Sequence, residues 1–374
     1  MKKHYFLAFA CLSAGIAVNA QYTDYHDFNG TDGSAPSSTL TFAGRTLYGM
    51  TSNGGVNSAG NIFAIDTNSQ NFRDIFDFNF PTGAIPYSDL TLFGNKFYGT
   101  ANQGGANGNG CVFSIDTNGT GYKDIYDFNT GTAGQNPNGS LILAGNKLFG
   151  TTYFGGASGN GNVFSVDTDG TGYKDLYDFT GTDGANPHGN LAIAGKVLYG
   201  ITANGGTADS GVVFSIDTNG SNFKVLVNGN YALGYNPWRS VIVAGNEVYG
   251  TMYAGGATDS GLVFAVDTNG GGYRDLYDFH YKSGGSTSGN LSLVGGTIYS
   301  VNYKGGGGTY GTLFSIDTNG ANFTDIYDFT GTSANPQGGL AIVGSTLFGT
   351  TENGGSFGSG NIFRFDKGII TGVN

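Results

Sequence analysis

Short runs rich in β-branched and aromatic residues alternate with glycine-rich turns along almost the whole chain, the pattern of strands joined by tight connections. In the span around residue 110 the runs are Asp89–Phe93, Lys96–Ala101, Cys111–Asp116 and Tyr122–Asn129, which predict four successive antiparallel strands. The first two are joined through Gly94-Asn95, and their counterparts further on through Gly145-Asn146, which fits a two-residue type II′ hairpin with positive φ at the glycine. The third and fourth are joined through Asp116-Thr-Asn-Gly119, where Asn-Gly accepts left-handed backbone.

This pattern repeats. The aromatic of a [Leu/Phe/Val/Ile]-[Tyr/Phe]-[Gly/Ser] step recurs at Tyr48, Tyr98, Phe149, Tyr199, Tyr249, Tyr299 and Phe348, seven copies 49 to 51 residues apart. A Gly-Gly pair follows each, then a Phe-x-[Ile/Val/Phe]-Asp segment starting at Phe63, Phe113, Phe164, Phe214, Phe264, Phe314 and Phe363. Most units end in a phrase like Asp124-Ile-Tyr-Asp-Phe128. One four-stranded sheet cannot hide both its faces, whereas radial repetition buries each sheet against two neighbours. The ends are complementary: Tyr25-His-Asp-Phe28 is a fourth strand with nothing before it, and the seventh unit stops after its third strand at Asp366. Pairing the two completes the last unit and leaves no open edge. The expected fold is all-β, a seven-bladed β-propeller over residues 21–366 whose last blade closes three plus one with the N-terminal strand.

Composition sharpens this. Charged residues are 11% of the chain, aromatics 14%, and there are 69 glycines, a balance suited to strands and turns. The chain opens with Lys2 and Lys3, an apolar run over Tyr5–Val18, and Val18-Asn-Ala20 before Gln21, which reads as a secretory signal peptide cleaved after Ala20. Its removal takes the net charge from −11 to −13, a balance that repels nucleic acid. Cys111 is then the lone cysteine, so no intramolecular disulfide is available, and no later segment is apolar for long enough to span a membrane. Secretion or surface attachment as a monomer, with residues 367–374 a short tail, is the expectation.

Leu148–Gly156 with Asn162–Asp167 resembles, almost letter for letter, the GloVer repeats of exported bacterial proteins, and all seven units carry the pattern. The resemblance implies a Gram-negative, envelope or extracellular protein, but no reaction. A looser likeness to kelch repeats lies in the Gly-Gly after the second strand, without the kelch tryptophan. Members often carry a further anchoring or sorting domain, whereas this sequence stops at Ile369-Ile-Thr-Gly-Val-Asn374.

Repetition separates scaffold from candidate site. The Asp-Thr-Asn-Gly turns, Asp167-Thr-Asp-Gly170 among them, lack the acids of a calcium loop and read as hairpin turns. Paired acids such as Asp124 with Asp127 and Asp175 with Asp178 recur too often for a glycosidase pair and read as solvated blade edges. Gly-Gly has no following helix or Lys-Ser/Thr to make it a phosphate loop. His26, His188 and His280 fall in separate units, Glu247 and Glu352 on opposite predicted faces, and no nucleophile elbow stands out. No catalytic residue, metal site or cofactor is expected.

The longer connections all emerge on one face of a propeller, the expected working surface. There, after a proline in most copies, one position varies: Ser37, Tyr87, Asn138, His188, Trp238, Ser288 and Gln337, predicted to ring one mouth of the channel. The fourth-to-fifth junction departs most, Val227 to Arg239, and sets the lone Trp238 beside Arg239 where other copies have Gly or Ser. Tyr153, Phe154, Tyr253 and Tyr303, with Asn204, Lys304 and Glu352, occupy equivalent rim positions. This palette suits a binding module for a glycan or a surface protein. The alternatives are an extracellular carbohydrate-active lyase or hydrolase and a spacer in a larger surface protein.

Overall fold

The computed structural model describes residues 21–367 apart from Ser69, Thr130 and Thr132; the expected leader and nearly all of the tail lie outside the described residues. Seven small antiparallel sheets stand in the order of the seven repeats. Six are built from consecutive strands, as in Thr91–Phe93, Lys96–Ala101, Cys111–Asp116 and Lys123–Asp127. The last joins Ser333–Val343, Thr346–Gly354 and Asn361–Asp366 to the N-terminal strand Gln21–Asp27, which pairs Gln21 with Asp366 and Asp27 with Asn361. The ring closes three plus one.

The repeat letters have packing reasons. In the second strand the glycine of the aromatic-Gly step stands opposite the third-strand phenylalanine, as Gly99 does Phe113 and Gly200 does Phe214. The ring lies across the bare Cα, so a Cβ on Gly99 or Gly200 would come within 2.5 Å of it. Each of these phenylalanines then receives the ring that ends the preceding blade's fourth strand, edge to face. Phe78 meets Phe113 at 5.2 Å, Phe128 meets Phe164 at 5.1 Å, and Phe28 meets Phe63 at 5.2 Å. These rings are fully buried and seal the seams between blades. At the seam between the fourth and fifth blades Gly229 stands where the others have phenylalanine, and Leu226, Val227 and Leu233 pack against Phe264 instead. In the first hairpins of the second and third blades only the glycine takes positive φ, +63° at Gly94 and +64° at Gly145, as type II′ geometry requires, whereas in the sixth both Gly295 and Gly296 do.

Two expectations change. First strands are shorter than expected: in the second blade only Thr91–Phe93 is regular, because Asp89 and Leu90 leave the ladder. In the third, residues 138–141 stand opposite residues 150 and 151, between the pairs Pro137–Thr152 and Ile142–Phe149. This bulge turns a segment of every blade toward the channel. The paired acids, in turn, are not merely solvated. A register shift between Asp124 and Tyr126 puts Asp124 and Asp127 on one side of the strand. The Asp127 carboxylate accepts the Ala106 N–H at 2.6 Å, and Asp77 and Asp278 take Val56 and Ala257 in the same way, so the second acid closes the Gly-Gly loop.

The first acid bears the cost of this arrangement. Burial, and then the neighbouring carboxylate, push Asp124 up to about 7. Burial leads again in raising Asp175, Asp275 and Asp325 to about 6. Unfolded aspartates lose their protons near 4. Between pH 4 and 7 the folded chain therefore holds more protons than the unfolded one, and stability falls as pH rises through that window. Thermal unfolding should show a melting temperature that declines from pH 4.5 to 8. Asp124→Asn should raise the pH 8 value and leave the pH 4.5 value nearly unchanged; a parallel shift at both would contradict the assignment.

Candidate functional site

The bulged segments deliver the varying position to the mouth of the channel. Tyr87, His188, Trp238, Arg239 and Gln337 line one cavity of about 280 Å³. Trp238, Arg239 and Gln337 also line an adjoining one of about 290 Å³ with Asn236, Tyr253, Ser288 and Tyr303. Residues from five blades thus meet at one opening. Arg239 is the middle residue of its bulge, where its equivalents Gly139, Gly189 and Gly289 pack against the neighbouring segment. An arginine cannot follow that path, so its side chain crosses the mouth and its Nη2 donates to Gln337 Oε1 at 2.5 Å. Gln337 Nε2 donates to Glu352 Oε2 at 2.6 Å, and the Tyr303 hydroxyl donates to the same oxygen at 2.9 Å.

Trp238 stacks on His188 with ring centres 4.1 Å apart, and Tyr253 lies tilted at 6.1 Å on its other flank. His188 Nδ1 is 3.1 Å from the Trp238 carbonyl, which can only accept, so the imidazole proton sits on Nδ1 and Nε2 is an acceptor. Burial first, then the Arg239 charge, holds His188 down to about 3, neutral throughout the physiological range. Tyr153 meets the His188 ring edge to face at 5.9 Å, and Phe154 stands beyond it, 47% exposed, on the rim.

Not every expected residue joins. Asn138 accepts from Asn102 Nδ2 at 2.7 Å and lines neither cavity. Ser37 is buried and lines neither cavity; Ser288, also buried, lines the second with its hydroxyl turned back to donate to the Pro336 carbonyl at 2.8 Å. Asn204 is occupied by Asn186 Oδ1 at 3.2 Å, and Lys304 is exposed.

Sequence reasoning missed a second ring two residues further along each segment: Thr39, Asp89, Ser140, Asn190, Ser240, Asn290 and Gly339. Successive blades hold hands here. Gly339 N–H donates to Thr39 Oγ1 at 2.7 Å, Thr39 N–H to Asp89 Oδ1 at 2.6 Å, Asp89 N–H to Ser140 Oγ at 2.6 Å and Ser140 N–H to Asn190 Oδ1 at 2.7 Å. The Asn190 and Asn290 amides reach across to Asp89 Oδ2 at 2.9 and 3.1 Å. The belt fails at Ser240, whose buried hydroxyl has no partner, beside Arg239. The legible signal was a position restricted to small polar residues, with Asp89 the single acid.

Comparison with known proteins follows the repeat. The family model described as the Gloeobacter/Verrucomicrobia repeat matches residues 75–228 and 197–371, most of the chain. No curated protein matches. Among solved structures, a nidogen/laminin complex aligns at 16% identity and a TM-score of 0.46, covering 66% of this chain and 80% of that one. A puromycin-hydrolysing peptidase of Mycobacterium tuberculosis aligns at 10% identity and a TM-score of 0.54, covering 86% of this chain and half of that one. At this identity the peptidase likeness speaks for the fold alone. Among the described residues no helix is long and apolar enough to cross a membrane.

Proposed function

We propose that this chain, which belongs to the Gloeobacter/Verrucomicrobia repeat family, is an exported binding module that recognises a glycan at the mouth of its long-loop face. The observation that carries the reading is the gathering, from four blades, of Trp238, Tyr253, Tyr303 and Tyr87 with the polar groups of Arg239, Gln337 and Asn236 around one opening. Aromatic walls offer flat apolar surface to the C–H faces of a sugar ring. Amides and a guanidinium reach its hydroxyls. The scaffold is stiff, closed by strand pairing and held over part of its inner ring by the polar belt, so little ordering has to occur on binding. The departures from the repeat concentrate here: the altered seam at Gly229, the broken belt at Ser240 and the Trp238-Arg239 step.

The test is a glycan array followed by calorimetry on the strongest hit. Trp238→Ala should weaken binding at least tenfold while shifting the melting temperature by only a few degrees, since Trp238 is part-exposed and outside the seam clusters. Unchanged affinity would remove the mouth from consideration. Binding of a protein but no glycan, lost in the same variant, would keep the site and replace the ligand class.

A further inference from the structure

We infer that the mouth pocket takes an acidic saccharide, a uronate whose carboxylate is received by the Arg239 guanidinium. The inference rests on the glycan reading above and narrows its ligand. Arg239 is the one charged residue lining the two mouth cavities, given a neutral His188. Its Nε is buried and has no hydrogen-bond partner, and its Nη2 is engaged by a neutral amide oxygen. A guanidinium does not shed its proton, so one that carries its charge without a carboxylate partner, with one N–H already buried and unpaired, favours an anionic acceptor at its cavity-facing edge.

The two carboxylates nearest in charge do not serve as that acceptor. Glu352 lies behind Gln337 and is occupied by the donors of Gln337 and Tyr303. Asp89 is occupied by the Thr39 N–H and by the amides of Asn190 and Asn290. Arg239 makes no ion pair within 4 Å among the described residues, whereas five of the other cations, Arg73, Lys96, Lys147, Arg274 and Arg364, each have an aspartate or glutamate. Burial pulls the Arg239 guanidinium below its ordinary value, and Asp89 and then Glu352 oppose that from a distance. Gln337 aims it, with its carbonyl toward Arg239 and its amino group toward Glu352. What remains is a half-buried guanidinium without a carboxylate partner on the wall of an aromatic cavity of about 290 Å³, large enough for a sugar ring. A hexuronate supplies both an apolar ring face for Trp238 and Tyr253 and a planar carboxylate for the guanidinium. A peptide C-terminus supplies only the second.

The experiment is calorimetry of the wild-type chain against a panel of uronate tetramers (galacturonate, glucuronate, mannuronate and guluronate), each paired with the same tetramer reduced at C6 to the neutral sugar. A tetrapeptide series with free and amidated C-termini is run alongside. The expected result is one uronate bound at least tenfold more tightly than its reduced partner. That advantage should shrink to within twofold in Arg239→Gln and persist in part in Arg239→Lys, with melting temperatures confirming folded variants. Three results would each overturn the inference: no uronate preferred over its reduced form, an acid preference unaffected by Arg239→Gln, or binding governed by the peptide carboxylate. A neutral tetramer bound equally well and lost in Trp238→Ala would overturn the uronate while leaving the glycan site standing; binding indifferent to Trp238→Ala would remove the site itself.

Discussion

A chain that begins at Asn29 is expected to lose the cooperative fold that one beginning at Gln21 keeps. The strand Gln21–Asp27 contributes Tyr25 and, just beyond it, Phe28, both buried in the last seam, and Tyr22, which stacks on Tyr327 at 4.4 Å. Each lost buried ring costs roughly 2 kcal/mol, against a folding margin of about 5–15 kcal/mol for an ordinary domain. The larger effect is the exposed edge, because without the strand Asn361–Asp366 presents a row of unpaired backbone groups. Circular dichroism melts and size-exclusion chromatography should show the shorter chain aggregated or without a sharp transition. Moving residues 21–28 behind Lys367 through a flexible linker should restore it. A shortened chain melting like its parent would mean that the ring does not depend on this closure.

The second large effect is expected from a single methyl group. A Cβ on Gly189 would run into the carbonyl oxygen of Arg239 in the next blade, backbone that has no flexible end to move aside. Gly189→Ala must push apart the segments carrying His188 and Trp238, at a cost of about 3 kcal/mol or more, and should also disorder the mouth. Gly195→Ala offers the contrast: this turn glycine has φ of +61° and open space around it, so only the positive-φ penalty of roughly 1–2 kcal/mol applies. Denaturant melts of both variants would rank them. Equal destabilisation would contradict the close approach of the two segments.

Much of this was legible in the sequence because the repeat states it seven times. The Gly99–Phe113 opposition, the closing strand before Phe28 and the placement of Tyr87, His188, Trp238 and Gln337 around one mouth all follow from register counted along a regular unit. What was missed lies where regular pairing breaks. The bulge that sends Asp89 into the channel is invisible to a period-two reading, so the polar belt is not legible there, and Asn138, expected in the ring at the mouth, bonds to Asn102 and lines neither cavity. The role of Asp127 was misread for a related reason. The register shift at Ile125 turns two acids that alternation would separate onto one side, where one closes a loop and the other is pushed by burial and its neighbour up to about 7.

Trp238 is the only tryptophan in the sequence, so its fluorescence reports on the mouth and nowhere else. Titrating the best-binding oligosaccharide while exciting at the red edge of indole absorption tests the central claim most directly. A mouth that binds sugar against Trp238 and Arg239 predicts a saturable change in emission with the same dissociation constant that calorimetry gives. Heat released on binding with the Trp238 emission unmoved would place the ligand elsewhere on the propeller and contradict the account.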